Sequence, residues 1–262
     1  MVIFFQSCCS EEPAGAAVES IGNLEERPPM LTANGAIYTG QWAGKLRHGQ
    51  GQLVYPNGAM YQGQWAHDRA HGHGRFEHGN GNVYEGQWMA DRVHGHGSYR
   101  HADGSEYIGA WEMDKQHGKG VETWPDGTKF EGTYANGLKS GQGVFTWKDG
   151  SSYTGSFAKN DICGEGLYVW ADGRRYQGEW KANRLHGRGR FNWPDGRVYE
   201  GEYVDDVKEG QGTLTWPDGQ KYEGEWKAGR QHGTGVFTRD GESRKGEWRD
   251  GKRARWLSDG SP

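Results

Sequence analysis

Aromatic and polar residues alternate along this chain in short bursts separated by turn residues. Tyr-x-Gly-x-Trp occurs at Tyr38-Gly40-Trp42, Tyr61-Gly63-Trp65, Tyr84-Gly86-Trp88, Tyr107-Gly109-Trp111, Tyr176-Gly178-Trp180 and Tyr222-Gly224-Trp226. Phe130-Gly132-Tyr134, Tyr153-Gly155-Phe157 and Tyr199-Gly201-Tyr203 keep the spacing, and each block starts 23 residues after the last. A fixed period of this length marks a repeat architecture. With the opening aromatic as position 1, positions 1–5 alternate aromatic, polar, Gly, polar, aromatic, the period of a strand. Positions 14–18 alternate again, as in Gly143-Val144-Phe145-Thr146-Trp147 and Gly189-Arg190-Phe191-Asn192-Trp193. Two strands joined by turn chemistry predict a β-hairpin. The first turn is predicted over positions 7–10 (Ala182-Asn183-Arg184-Leu185). The second is Pro-Asp-Gly, as at Trp124–Gly127, Trp193–Gly196 and Trp216–Gly219, where Pro presets φ and Gly accepts a positive φ.

Nine such units run over 38–243, and Gly246 and Trp248 open a partial tenth within 244–262. The predicted fold is all-β: an elongated single-layer antiparallel sheet of stacked 23-residue hairpins. About eighteen strands at ~4.8 Å would span roughly 85 Å. Tyr176, Gly178, Trp180, Gly189, Phe191 and Trp193 should share a face, with rings lying over bare glycine backbone. That face would present more aromatic surface than one sheet can cover, an uncovered patch of the kind that marks a partner site. Its candidate residues are Tyr38, Trp42, Tyr61, Trp65, Tyr84, Trp88, Tyr107, Trp111, Trp124, Trp147, Trp170, Tyr176, Trp180, Trp193, Trp216, Tyr222 and Trp226. A partner helix laid along this trough, or a second copy of the chain, would cover it. Open sheet ends also favour homo-oligomers. The opposite face carries Gln41, Gln64, Gln87, Glu179, Glu202 and Glu225 on first strands and Arg75, Arg188 and Arg190 on second strands, and is expected to be solvated.

Composition narrows the function. The chain has 262 residues, 46 Gly, 13 Trp and 13 Tyr, while Leu, Ile, Val and Phe together make up about 13%. So few aliphatic residues argue against a layered enzyme core, and no run approaches a membrane span. A net charge of −4 gives no field for nucleic-acid binding. Three cysteines make no disulfide framework and the N-terminus has no basic leader region, which points to the cytoplasm. Residues 1–37 are rich in Ala, Glu and Pro and read as a largely disordered tail, with a degenerate cap from Leu31. Arg249 to Pro262 reads as a closing strand or short helix that sets Trp256 against the last hairpin.

The unit Tyr-x-Gly-x-Trp-x5-His-Gly-x-Gly resembles the MORN repeat (membrane occupation and recognition nexus), from residue 38 to about 250. Ser140, Cys163 and Glu209 replace its histidine in the fifth, sixth and eighth copies. The resemblance implies a protein-binding scaffold, in settings such as radial spoke heads of ciliary axonemes, cytoskeletal rings and membrane junctions. Relatives that carry a kinase or methyltransferase need a further domain, for which the flanks leave no room.

Catalytic chemistry is not expected, and no cofactor or metal is implied. Equivalent histidines sit two strands apart, roughly 10 Å, too far to share one ion. The repeat histidine, as at His48 and His71, is read instead as hydrogen-bonding backbone in the turn. Gly-x-Gly here opens a strand, whereas a phosphate loop opens a helix. Cys163 has no nucleophile signature around it. The alternative function is a peripheral membrane adaptor. Turn bases recur along one sheet edge, and Asp68, Asp91 and Asp114 neutralise three of them. Lys45, Lys139, Arg184 and Arg230 are then the candidates for acidic phospholipids, with Cys8 and Cys9 as acylation sites beside Val2-Ile3-Phe4-Phe5.

Overall fold

The computed structural model describes residues 23–257, so Cys8 and Cys9 lie outside the described residues. The chain forms two compact units, residues 1–138 and 139–262, each a meander of antiparallel strands. The first unit carries β1 (Glu25–Leu31), β2 (Ile37–Ala43), β3 (Leu46–Val54), β4 (Met60–Ala66), β5 (Arg69–Glu77), β6 (Val83–Met89), β7 (Arg92–Arg100), β8 (Glu106–Glu112), β9 (Lys115–Thr123) and β10 (Lys129–Ala135). The second carries β11 (Leu138–Thr146), β12 (Ser152–Ala158), β13 (Asp161–Val169), β14 (Arg175–Lys181), β15 (Arg184–Asn192), β16 (Val198–Val204), β17 (Val207–Thr215), β18 (Lys221–Lys227), β19 (Arg230–Arg239), β20 (Glu242–Arg249) and β21 (Lys252–Trp256).

Each repeat is a hairpin of a short first strand and a longer second one. The first turn is only two residues long. Ala182 and Asn183 both take left-handed φ values of 47° and 66°, the geometry of a type I′ turn whose twist suits a hairpin. The predicted four-residue turn is therefore too long: positions 9 and 10 already belong to the second strand. The Pro-Asp-Gly turn is as predicted, with Gly196 at φ 89° donating its N–H to the Trp193 carbonyl at 3.0 Å.

Register explains the two strand glycines. Gly178 pairs with Gly189 and Tyr176 with Phe191, which places these residues on one face. Beyond the glycine pair the register slips: Trp180 pairs with Leu185, so two steps along β14 match four along β15. This bulge recurs, for example between Gly63/Trp65 and Gly86/Trp88. Gly187 sits in it at φ +55°, and a Cβ there would stand 2.4 Å from the Glu179 carboxyl carbon. The Glu179 side chain plugs the bulge, accepting the Arg188 N–H at 2.8 Å. Gln64 does the same for His73 (2.6 Å), Gln87 for His96 (2.7 Å), Gln41 for Gln50 (2.8 Å), Glu202 for Gln211 (3.3 Å) and Glu225 for Thr234 (2.9 Å). The position-4 Gln and Glu expected on a merely solvated face thus satisfy backbone donors that the irregular ladder leaves open.

Successive hairpins are also tied at their first turns. The Asp91 N–H donates to the Ala70 carbonyl (3.0 Å), and the Ala70 N–H donates to the Asp91 carboxylate (2.7 Å). Asp114 takes the Val93 N–H, Asn160 that of Lys139, Asn183 that of Ile162 and Asp206 that of Leu185. Asp68, Asp91 and Asp114 therefore bind backbone of the preceding repeat, a role other than neutralising the next base. Asp68 also faces a cation, but it is Arg47 of the preceding repeat, whose N–H it accepts and whose guanidinium lies at 3.2 Å, rather than the adjacent Arg69.

The N-terminal end differs from the tail expected of it, whereas the C-terminal end takes the closing-strand form of its two expected alternatives. β1 is a strand inside the stretch read as disordered, paired with β2 and stacking Arg27 over Trp42 at 5.3 Å. It supplies the cover that Trp42, first of its kind, lacks from any earlier repeat. At the other end β21 closes on β20 as a strand, with Trp248 and Trp256 edge to face at 6.2 Å.

Candidate functional site

The aromatic face consists of two rows with different physics. The inner row is built from positions 1 and 5. Tyr38, Tyr61, Tyr84, Tyr153, Tyr176, Tyr199 and Tyr222 are wholly buried, each lying flat on a glycine of the paired strand. A Cβ on Gly166 would stand 2.4 Å from the Tyr153 ring. The phenol then reaches the bulge, where its O–H donates to the position-4 carbonyl: Tyr38 to Gln41 (2.9 Å), Tyr61 to Gln64 (2.8 Å), Tyr84 to Gln87 (2.9 Å), Tyr107 to Ala110 (2.9 Å). Burial holds these phenols protonated; it pushes Tyr38, Tyr153 and Tyr222 up to about 12.

The position-5 tryptophans lock neighbouring repeats. The Trp65 indole N–H donates to the Gly51 carbonyl (3.1 Å), Trp88 to Gly74 (2.9 Å), Trp111 to Gly97 (3.1 Å), Trp180 to Gly166 (3.3 Å) and Trp226 to Gly212 (3.0 Å). Each acceptor belongs to the preceding repeat. Tyr61 meets Trp65 at 5.0 Å and Trp88 at 5.2 Å, both edge to face at 86°, the arrangement ring quadrupoles favour. Where Tyr134 replaces the tryptophan, its hydroxyl donates to Glu122 at 3.0 Å, and Glu122 stands where other repeats carry an apolar or aromatic residue. Twelve residues expected to form an exposed trough (Tyr38, Trp42, Tyr61, Trp65, Tyr84, Trp88, Tyr107, Trp111, Tyr176, Trp180, Tyr222 and Trp226) are instead the core, none more than 8% exposed. Gly backbone and neighbouring rings cover them on both sides.

In the outer row, positions 16 and 18, only position 18 is the accessible one; position 16 is buried at Leu53, Phe76, Tyr99 and Phe191. Trp124, Trp147, Trp170, Trp193 and Trp216 are all half-buried. In the second unit Phe145, Trp147, Tyr168, Trp170, Phe191 and Trp193 form one continuous stack. Successive centroids lie 4.6, 5.0, 4.4, 5.3 and 4.4 Å apart, with planes inclined by only 33–40°. Arg174 lies over Trp170 and Arg197 over Trp193, at 5.3 and 5.4 Å. In the first unit the same positions hold Tyr55, Phe76, His78, Tyr99 and His101, packed edge to face; Phe76 and His78 meet at 81° and Tyr99 and His101 at 71°.

Position 10 also faces the rings, since it pairs with position 5 across the bulge. It holds Ala70, Val93, Ile162 and Leu185 in the core, and Arg47 and Lys208 as cations against rings. Arg47 lies 4.3 Å from Trp65. The Lys208 ammonium lies 4.6–5.0 Å from Tyr199, Trp193 and Trp226, and burial, with Arg197 adding to it, pushes this lysine down to about 8.

The predicted basic edge is dispersed. Lys45, Arg184 and Arg230 are exposed at positions 8 and 9, whereas Lys139 stands at position 10, half-buried, with Nζ 6.0 Å from the Phe145 ring. The short turn places these bases on different sides of the strand. The repeat histidines do not share one role: His48 and His94 bury Nδ1 without a hydrogen-bond partner, whereas Nδ1 of His117 lies 3.2 Å from Glu112 and that of His186 3.8 Å from the turn residue Asp205. Cys163 occupies the same position, partly buried. Among the described residues, no three of His, Cys, Asp and Glu are placed to hold a metal ion.

Tandem hairpins whose rings and bulges interlock from one repeat to the next define the chain as a β-repeat protein of solenoid type. The family model for the MORN repeat matches ten consecutive segments, 38–60, 61–83, 84–106, 107–129, 130–152, 153–174, 176–196, 199–221, 222–243 and 245–254. The chain belongs to the MORN-repeat family. A search of curated proteins finds no match. Among solved structures it is similar to the TCP10 domain of Danio rerio CPAP in complex with a peptide of STIL, at 13% identity over 88% of this chain and 98% of that one, TM-score 0.46. It is also similar to the TCP domain of Drosophila melanogaster SAS-4 (dCPAP) in complex with a proline-rich motif of Ana2, at 15% identity over 72% and 94%, TM-score 0.36. What those domains bind is a property of those domains.

Proposed function

We propose that this protein is a non-enzymatic scaffold that holds partner proteins along the outer aromatic row of its second unit. The observation that carries the reading is the stack from Phe145 to Trp193, with Trp147, Trp170 and Trp193 half-exposed. The inner row already supplies the fold with hydrogen bonds and close packing. Trp147, Trp170 and Trp193 hold large apolar surface at the protein–water boundary, as interface anchors do. The occupant is a helical or extended segment of another protein, and the setting is a cytoplasmic cytoskeletal or ciliary assembly.

Proximity labelling with the intact chain, compared with a Trp147→Ala/Trp170→Ala/Trp193→Ala variant, tests this. A set of cytoskeletal partners lost from the variant, with direct binding of at least one purified partner, is the expected result. An unchanged set sinks the proposal. The membrane alternative rests on the exposed bases Lys45, Arg184 and Arg230. Co-sedimentation with phosphatidylserine vesicles at low salt, abolished by Arg184→Glu and Arg230→Glu, would favour it instead.

A further inference from the structure

The two sheet ends of the chain are protected in different ways. β1 carries Pro28 and Pro29 at its irregularity, so part of its outer side offers no N–H. β21 contains no proline, and among the described residues it pairs with β20 alone. Its outer N–H and C=O groups are free to pair with another strand.

Charge surrounds that edge on both faces. Arg253 pairs in register with Trp248 and so lies on the aromatic face, its guanidinium 4.2 Å from the Trp256 ring. Arg255 pairs with Glu247 and Lys252 with Arg249, which puts them on the opposite face beside Lys245. Glu247 is bound to Arg255 at 2.7 Å, Glu242 faces Arg244 at 3.3 Å and Asp240 faces Arg239 at 3.4 Å. Among the described residues Lys245, Arg249, Lys252 and Arg253 form no ion pair with a carboxylate.

We infer that β21 is a docking edge for an acidic, extended segment of a different protein, which adds as a further strand. Two β21 edges from two copies would oppose like charges across the new ladder. Pairing of β21 with another copy's β1 meets Pro28 and Pro29. A flat anionic surface would engage cations on one face only, whereas a strand in the plane of the sheet lies between Arg253 on one side and Lys252 and Arg255 on the other. Backbone pairing then supplies affinity, and acidic side chains supply register and choice. This inference is independent of the outer aromatic row.

The probe is a fluorescein-labelled alternating Glu-Thr octapeptide titrated into the full chain at low salt, followed by anisotropy and by amide exchange. Saturable binding is expected, with slowed exchange across Lys252–Trp256. Binding should weaken about tenfold or more in Lys252→Glu/Arg253→Glu, whose side chains are exposed and leave the fold intact, and by a similar factor when alternate peptide nitrogens are methylated. Equal binding of the methylated peptide would reduce the site to general polyanion attraction and overturn the inference. So would an absence of binding, or binding that the double variant leaves unchanged.

Discussion

The two units share one inner row and differ in the outer one. Tyr61 over Gly74 in the first unit and Tyr153 over Gly166 in the second make the same close contact, and Trp88 and Trp180 donate to those two glycines' carbonyls. Outside that row the first unit sets Tyr55, Phe76, His78, Tyr99 and His101 edge to face. There Asn82 bonds the Tyr99 hydroxyl (3.0 Å), and burial lowers the pKa of His78. The second unit sets six rings in a row with successive planes tilted by 33–40°. The inner positions stay aromatic or glycine in every repeat, and the outer positions have diverged between the units. The difference places the fold at positions 1, 3, 5 and 14, and leaves position 18 as the aromatic row that reaches solvent.

Substitution of the covered glycines tests whether the inner rows are equivalent. Gly74→Ala and Gly166→Ala each force a Cβ against a tyrosine ring that backbone holds from below, so each should cost about 3 kcal/mol. Chemical denaturation of the full chain measures the loss, and exchange protection should fall mainly in the mutated hairpin and its neighbours. A difference above about 1 kcal/mol between the two would show that the inner rows are not interchangeable. The outer rows should behave in the opposite way. Trp147→Ala/Trp170→Ala/Trp193→Ala should weaken partner affinity by about thirtyfold, while Tyr55→Ala/His78→Ala/His101→Ala should change it less than about threefold. Titration of a purified partner against both variants checks this, and a larger loss from the first-unit variant would reverse the assignment of the binding surface. Between these lies the indole bond: Trp88→Phe and Trp180→Phe keep one aromatic ring, lose the N–H donor and part of the buried indole, and should each cost about 2 kcal/mol by thermal unfolding.

Much of this was legible in the sequence, because a 23-residue period with Gly at positions 3 and 14 leaves few choices of pairing. Hairpins, antiparallel pairing and the shared face of Tyr176, Gly178, Gly189 and Phe191 all followed from alternation and turn chemistry. What escaped were contacts between repeats. The Ala70–Asp91 bond spans 21 residues and the Trp65–Gly51 bond 14, so neither shows when a unit is read by itself. The bulge escaped because positions 9–13, as in Arg184-Leu185-His186-Gly187-Arg188, resemble a loop with no alternation. Once it was hidden, Gln64 and Glu179 looked like ordinary surface residues, and Lys139 looked like a turn base although position 10 points at the rings. The shared face of the tyrosines and their seat on bare glycine backbone follow from the spacing, but the cover from the next repeat's tryptophan is a three-dimensional fact that leaves no trace in it.

The smallest expected effect concerns the turn ties, where the two units again differ. The first unit uses Asp68, Asp91 and Asp114; the second uses Asn160 and Asn183 as well as Asp206. Burial raises the pKa of Asp91, opposed by its bond from the Ala70 N–H and by Arg47 and Arg69, and burial likewise raises that of Asp114. A carboxyl whose folded pKa lies above its unfolded value binds more protons in the folded state, so stability falls as pH rises through that window, and the full penalty is present at neutral pH. Asparagine keeps the acceptor oxygen and tolerates the left-handed turn, as Asn160 and Asn183 do at φ 76° and 66°. Asp91→Asn should therefore raise Tm by about 2 °C at pH 7. The gain should shrink as pH falls through and below the ordinary carboxylate value of about 3.9, under which aspartate and asparagine are both neutral. A lower Tm at pH 7 would mean that the charge on the carboxylate strengthens the tie to Ala70 by more than burial costs, and that the asparagines of the second unit are a concession rather than an improvement.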